Sequence, residues 1–197
     1  MSFLNQLEKR RSIYAIGKNV SASQAEIEEL IQKTVRLSPS AFNSQTSRVV
    51  TLYGASHKKF WEIVRESLRK LVPAEAFAGT DAKISSFEAG YGTVLFYEDQ
   101  DVVKSLQEQF ALYADNFPVW SEHSTGIAQF AVWTALAEQN IGASLQHYNP
   151  VVDAEVADVY EIPSNWKLRA QLVFGSIEAP AGEKTYMENS ERFKTFN

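Results

Sequence analysis

Four short segments hold the residue types that could do chemistry. Arg10-Arg11-Ser12 sets two guanidinium groups beside a hydroxyl at the end of a predicted helix. Ser38-Pro39-Ser40-Ala41-Phe42-Asn43-Ser44-Gln45 gathers hydroxyls and amides in a polar loop between a predicted helix and a predicted strand. The run from Gly142 to Asn149, Gly-Ala-Ser-Leu-Gln-His-Tyr-Asn, reads as a strand that stops at Pro150. Arg192-Phe193-Lys194 adds a basic pair near the C-terminus. Arginine forks suit bidentate recognition of phosphate. Each segment also has a plainer reading: charge balance at a helix end, a helix-to-strand loop, a strand, and a solvated tail.

Other chemistries are excluded by residue type or spacing. The chain has no cysteine, which removes disulfides, Cys-ligated zinc, iron–sulfur clusters and thiolate nucleophiles. Any redox chemistry must therefore sit on a bound cofactor. Gly90-Tyr91-Gly92 precedes its strand, whereas a dinucleotide fingerprint follows one. No Walker A sequence, Gly-x-Ser-x-Gly elbow or His-Glu-x-x-His occurs. His57, His123 and His147 are too scattered to suggest a metal site, and His57 and His123 read as surface or internally satisfied histidines. The formal net charge of −5 argues against a nucleic-acid or anionic-membrane coat, both of which need a basic footprint.

These segments must be positioned by a chain of 197 residues, the length of one domain at roughly 150 residues per domain. With 45% hydrophobic and 22% charged residues, the composition is that of a packed globular domain. A chain of this size buries about 70% of its unfolded surface. Periodicity predicts helices over 3–10, 23–38, 57–71, 81–88, 101–114, 119–139 and 154–160. It predicts strands over 49–53, 91–97, 142–148 and 167–177. Ser23-Gln24-Ala25-Glu26 forms a capping box. The 119–139 helix, with Ile127, Phe130, Ala131, Thr134 and Ala137 on one stripe and Trp133 and Leu136 beside it, reads as a buried central helix. Strands separated by helices fit α/β or α+β, and periodicity does not decide between them. Residues 1–11 lack the apolar core of a signal peptide, and no stretch reaches the length of a membrane span. The expectation is a cytoplasmic protein.

In this order and combination, the four segments resemble the nitroreductase family of FMN-dependent oxidoreductases. That family opens with a short helix leading into Arg-Arg/His-Ser, continues with Ser-Pro-Ser-x-x-Asn-x-Gln and a strand, and ends on a basic pair. Phe42, Gln45-Thr46-Ser47-Arg48 and Leu145-Gln146-His147-Tyr148-Asn149-Pro150 resemble its short branch, which includes the fatty-acid-repression type oxidoreductases. Two departures stand out: Thr46-Ser47 replaces a usual Pro-Trp, and Arg192-Phe193-Lys194 replaces a usual Lys-x-Arg.

The resemblance implies an α+β fold, a central mixed and mostly antiparallel sheet flanked by helices, in an intertwined homodimer. Residues 1–197 would form one FMN-binding domain whose tail, 180–197, packs on the partner subunit. Arg10, Arg11 and Ser12 would meet the phosphate-ribityl end or the pyrimidine edge of FMN, and Arg192 and Lys194 would close on the phosphate. Pro39, Ser40, Asn43 and Gln45 would reach the FMN held mainly by the partner. Leu145, Gln146, His147 and Tyr148 would lie along the flavin ring, with His147 open between strand packing and ligand contact. No metal or catalytic side chain is implied. NADH or NADPH would deliver hydride to the flavin and leave, and a nitroaromatic or quinone-type acceptor would then be reduced, a ping-pong cycle. The alternative is a flavin-binding stress or lipid-signalling regulatory protein with incidental reductase activity.

Overall fold

The computed structural model describes residues 2–197. Five strands form its sheet: β1 (Ile16–Gly17), β2 (Ser47–Tyr53), β3 (Gly92–Asp99), β4 (Gly142–Gln146) and β5 (Trp166–Ile177). Strand β5 is the hub, pairing antiparallel with β1, β3 and β4, while β2 pairs antiparallel with the far side of β3. The isolated parallel contact is a bridge of Ser12 with Ala143. This is the mixed, mostly antiparallel α+β sheet that the resemblance implies. Strand β1 is an addition, since two residues carry no periodicity to read.

Helices α1 (Phe3–Lys9), α2 (Gln24–Leu37), α3 (Gly54–Arg69), α4 (Phe77–Glu88), α5 (Gln100–Gln109), α6 (Phe117–Glu138), α7 (Asp153–Val159) and α8 (Asn189–Arg192) complete the chain. The capping box forms as expected: Ser23 Oγ accepts from Glu26 N–H, and Glu26 Oε2 accepts from Ser23 N–H at 2.8 Å. Helix α3 starts earlier than its apolar spacing suggests because Gly54, at φ 54°, turns the chain directly out of β2. Helix α5 stops at Gln109, where Phe110 leaves the helical region at φ −127°, ψ 62°. The residues expected to continue it wind into a tighter turn over Ala111–Asn116.

Strand β3 is buried at all eight positions, and its alternation feeds two cores. Leu95 and Tyr97 pack with Phe60, Trp61, Phe87 and Val156, from α3, α4 and α7. Val94 and Phe96 pack with Ile27, Ile31, Val132 and Leu136, from α2 and α6. Each large apolar side chain so buried contributes about 1.5–3 kcal/mol. A polar cluster sits inside the first core. Trp61 Nε1 donates to Thr93 Oγ1 at 3.0 Å, and His57 Nδ1 lies 2.9 Å from the same oxygen. His57 Nε2 faces the Glu88 carbonyl at 3.2 Å and must donate to it. Nδ1 is therefore the acceptor, and the Thr93 hydroxyl donates to it. His57 thus satisfies the expectation of an internally paired histidine.

The orientation of α6 corrects the sequence reading. The stripe facing the sheet is Ala128, Val132 and Leu136, preceded by small polar Ser121, Ser124 and Thr125. Ile127 and Phe130 are each 42% exposed and Val119 is 51% exposed. A helix that is apolar nearly all round carries no phase information, so polar partners decide which side faces in. Ser121 Oγ donates to Thr46 Oγ1 at 2.9 Å, and Ser47 Oγ meets Thr125 Oγ1 at 3.4 Å. Thr46 and Ser47, the first departure from the family pattern, are thus docked on α6. Nearby, the buried Glu98 carboxylate takes a hydrogen bond from Arg169 Nε at 2.5 Å, and Arg169 also pairs with Glu122.

Thr93→Val is expected to leave Trp61 Nε1–H and His57 Nδ1 unpaired. At about 1–3 kcal/mol per orphaned group, urea unfolding should show a loss of roughly 2–6 kcal/mol. Burial also holds the His57 pKa below the ordinary histidine value. Its contribution is therefore complete above the unfolded value of about 6.5 and is lost as pH falls toward the lower folded value. The stability gap between wild type and His57→Gln should narrow on acidification; a gap independent of pH would contradict this assignment.

Candidate functional site

The site is built on a sheet edge. Strand β4 pairs with β5 on one side; on the other, Ile13 N–H donates to Ala143 O at 2.9 Å beside the Ser12 bridge. Beyond Ala143, no strand covers the outer edge of Ser144–Gln146 among the described residues. Such an edge displays backbone N–H and C=O groups. The Ser12 bridge also draws Arg10 and Arg11 to this place.

The two arginines are held differently. The Arg10 guanidinium lies 4.5 Å over the Trp133 ring of α6, and the same indole donates to Ala143 O at 3.2 Å. Arg10 Nε is buried without a hydrogen-bond partner. Burial, and then the charge of Arg11, lower the Arg10 pKa. Arg11 Nη2 donates to Gly182 O at 2.7 Å, folding the segment after β5 over the arginines. The result is a cavity of about 540 Å³ lined by Arg10, Arg11, Ser12 and Tyr14 on one side and by residues 179–184 on the other. Lys184 adds a third cation against one acid, Glu183. An orphaned guanidinium nitrogen, a local excess of positive charge and an uncovered strand edge fit a phosphate-bearing flavin, and the volume falls within the range of about 300–1,000 Å³ for small-molecule sites.

The end of β4 is clamped from below. Gln171 of β5 is fully buried; its Oε1 accepts from Tyr148 N–H at 2.7 Å and its Nε2 donates to Asn149 Oδ1 at 3.2 Å. The Tyr148 ring stands edge-on to Trp61 at 5.9 Å. Gln146 is buried and donates to Ser144 Oγ at 3.1 Å, and Leu145 packs into the α2–α6 core. What this segment offers a ligand is therefore its backbone, together with His147, which is exposed just past the strand. The strand-packing reading of His147 is not realised.

The Pro39–Gln45 loop lies apart from the arginine cavity. Its residues line two other cavities, one with Trp120, His123 and Ile127 and one with Arg36 and Arg48, and neither shares a residue with the first. Phe42, Asn43 and Gln45 are left-handed, at φ 57°, 50° and 48°. That conformation costs about 1–2 kcal/mol for a residue with a side chain. Ser40 Oγ accepts from Gln45 N–H at 2.9 Å and Arg48 Nη1 donates to Gln45 O at 2.6 Å, fixing the turn. Backbone strain of this kind concentrates at functional sites. Residues 182–197 are exposed throughout; Arg192 sits 5.7 Å over the neighbouring Phe193 ring, and neither Arg192 nor Lys194 lines the arginine cavity.

Within one protomer, then, the Ser12–Ala143 bridge ties the arginine segment to β4, while Leu145–Tyr148, the loop and the basic tail do not line the arginine cavity. Lys184 and the 179–184 turn were not legible as site residues, although Pro180 and Gly182 are turn signals. His123, expected to be a surface or internally satisfied histidine, is exposed beside Trp120, which belongs to none of the four segments.

The nitroreductase family model matches residues 7–176. The nitroreductase CinD from Lactococcus lactis, solved with nicotinic acid, is 55% identical over the whole of both chains with a TM-score of 0.93. The same protein has been solved with chloramphenicol and with 4-nitrophenol, at TM-scores of 0.92 and 0.91. HBN1 of Saccharomyces cerevisiae, named as a nitroreductase, is 37% identical over 190 residues, covering 95% of this chain and 94% of that one. The chain belongs to the nitroreductase family, as an oxidoreductase that works with FMN and NAD(P)H.

Proposed function

We propose that two copies of this chain form a homodimer with composite FMN sites, which uses NADH or NADPH to reduce nitroaromatic and quinone-type acceptors. The observation that carries this reading is the convergence of Arg10, Arg11 and Lys184 on one cavity that the Ser12–Ala143 bridge ties to β4. Bound FMN supplies the hydride-accepting and hydride-donating chemistry. Arg10, Arg11 and Lys184, with the Ser12 hydroxyl, would hold the FMN through charge-assisted hydrogen bonds, the two arginines dividing between its phosphate end and its pyrimidine edge. Backbone groups on the open edge of Ser144–Gln146 would meet the polar rim of the ring, and Gln171 fixes where that backbone ends. The guanidinium at the pyrimidine edge would supply a positive charge there that favours the reduced, anionic form of the ring.

The acceptor class is supported by CinD, which has been solved with two nitroaromatics, chloramphenicol and 4-nitrophenol. Its nicotinic acid complex supports the reductant, since that pyridine ring is the ring of nicotinamide. The outward apolar row of α6, Val119, Ile127 and Phe130, supports the dimer. So does the separation of the Pro39–Gln45 loop from the arginine cavity. A second copy closing over α6 covers that row and brings Pro39, Ser40, Asn43 and Gln45 to the partner's cofactor. The exposed tail then crosses the interface and carries Arg192 and Lys194 to the phosphate. The cytoplasm, where NADH and NADPH are available, is a compartment that suits this reading.

The purified protein is expected to be yellow and to reduce 4-nitrophenol-type acceptors with NADH or NADPH. Arg11→Ala should weaken FMN binding by roughly 10–150-fold, the equivalent of about 1.5–3 kcal/mol for a charged hydrogen bond, as read from flavin fluorescence on dilution. Full retention of affinity in both Arg10→Ala and Arg11→Ala would remove the cavity from consideration. In sedimentation, wild type should run at twice the 22.1 kDa protomer mass. Phe130→Glu should shift it toward the protomer and release flavin; a dimeric, fully loaded Phe130→Glu protein would place the interface elsewhere.

A further inference from the structure

Strand β4 ends at Gln146, yet its hydrogen-bonding phase continues. In an antiparallel pair, backbone groups turn alternately toward the partner strand and away from it. Ala143 O is turned away from β5, because it accepts from Ile13 N–H. Ser144 and Gln146, paired with Val173 and Gln171, therefore turn their groups toward β5, and Leu145 turns its own toward the open edge. Tyr148 keeps the same phase: its N–H points inward, where the Gln171 side chain receives it at 2.7 Å. His147, between Gln146 and Tyr148, is left on the open side with Leu145, two residues or about 7 Å further along the strand.

Packing does not explain Gln171. The residue is fully buried opposite Leu95 of β3, where a leucine or methionine would fill the space with no amide to satisfy. Both of its side-chain hydrogen bonds go to consecutive residues beyond the end of β4, Tyr148 N–H and Asn149 Oδ1. Its buried neighbour Gln146 behaves differently, donating within β4 to Ser144 Oγ. The Gln171 amide thus stands in for one more rung of the ladder, supplied by a side chain.

On the reading above that FMN lies along this edge, we propose that Gln171 is a positioning residue for the redox step. Its amide extends the β4 ladder by one rung, holds His147 N–H outward beside that of Leu145, and so sets the potential of the bound flavin. A backbone donor fixed at the polar rim of the ring favours the reduced form, whose added negative charge it meets. A donor free to swing does so less. Gln171 acts through the backbone of residues 147–149, from within the core, and not through a contact of its own with the ring.

Amide hydrogen exchange in the FMN-free protein tests the clamp apart from the cofactor: Tyr148 N–H should exchange about tenfold faster in Gln171→Leu than in wild type. Dye-coupled titration of the FMN-loaded proteins then gives their midpoint potentials. Gln171→Leu should hold reduced FMN about tenfold less tightly relative to oxidised FMN, a fall of about 30 mV for two electrons. Gln171→Glu supplies the rescue. Its neutral carboxyl accepts from Tyr148 N–H and donates to Asn149 Oδ1 as the amide does, whereas the ionised form only accepts, and burial raises the pH at which it ionises. Compared with wild type at each pH, its potential should match in acid and fall away as pH rises. If Gln171→Leu does not fold, this profile decides alone. A loaded Gln171→Leu protein with the wild-type potential overturns the positioning role. So does a Gln171→Glu protein whose offset from wild type is the same at every pH, or a Tyr148 exchange rate that Gln171→Leu leaves unchanged. A wild-type chain that takes up no FMN removes the flavin reading and this role together, whereas FMN uptake with an unmoved potential removes the role alone.

Discussion

Helices on both faces of a sheet leave only its rim where backbone polarity can meet a ligand. In this chain the rim is β4, and the single bridge between Ser12 and Ala143 decides how much of it stays open. Longer pairing would close the edge; none at all would leave the arginines untethered. One bridged residue, with Ile13 N–H bonded to Ala143 O, anchors Arg10 and Arg11 while leaving Ser144–Gln146 uncovered. The fully buried β3 and the central β5 make this possible, because they carry both cores and free β4 from any part in them beyond one face.

The chain uses two kinds of strain and two kinds of polarity, kept in different places. Buried polarity, at Thr93, Gln171 and Glu98, is paired and serves to fix strands and their exits. Unpaired polarity, at Arg10 Nε and the β4 edge, lies where a ligand would satisfy it. Left-handed Gly54 costs little and turns a strand into a helix, whereas left-handed Phe42 is costly and is kept by its ring contacts.

The site was readable in the sequence where chemistry and position coincide. Arg10-Arg11-Ser12 and the Ser38–Gln45 run stand out because guanidinium and amide groups recur at fixed places, and the structure sets both beside cavities. The strands were readable because alternation and continuous apolar runs leave few options. The facing of α6 was not, because Phe130, Trp133 and Leu136 give it apolar residues on every side and the choice falls to hydroxyl pairs with Thr46 and Ser47. Lys184 was not, because its place depends on a hydrogen bond between Arg11 and Gly182, far apart in the chain. Local patterns report what a segment can do; contacts at long separation decide what it does.

The Trp133 indole lies beneath the Arg10 guanidinium and is tied to Ala143 O, at the root of the open edge. A ring capped on its face by a guanidinium and pinned at its edge to a strand carbonyl cannot shift without loosening both, so any pull on Arg10 is felt by the strand through one stiff lever.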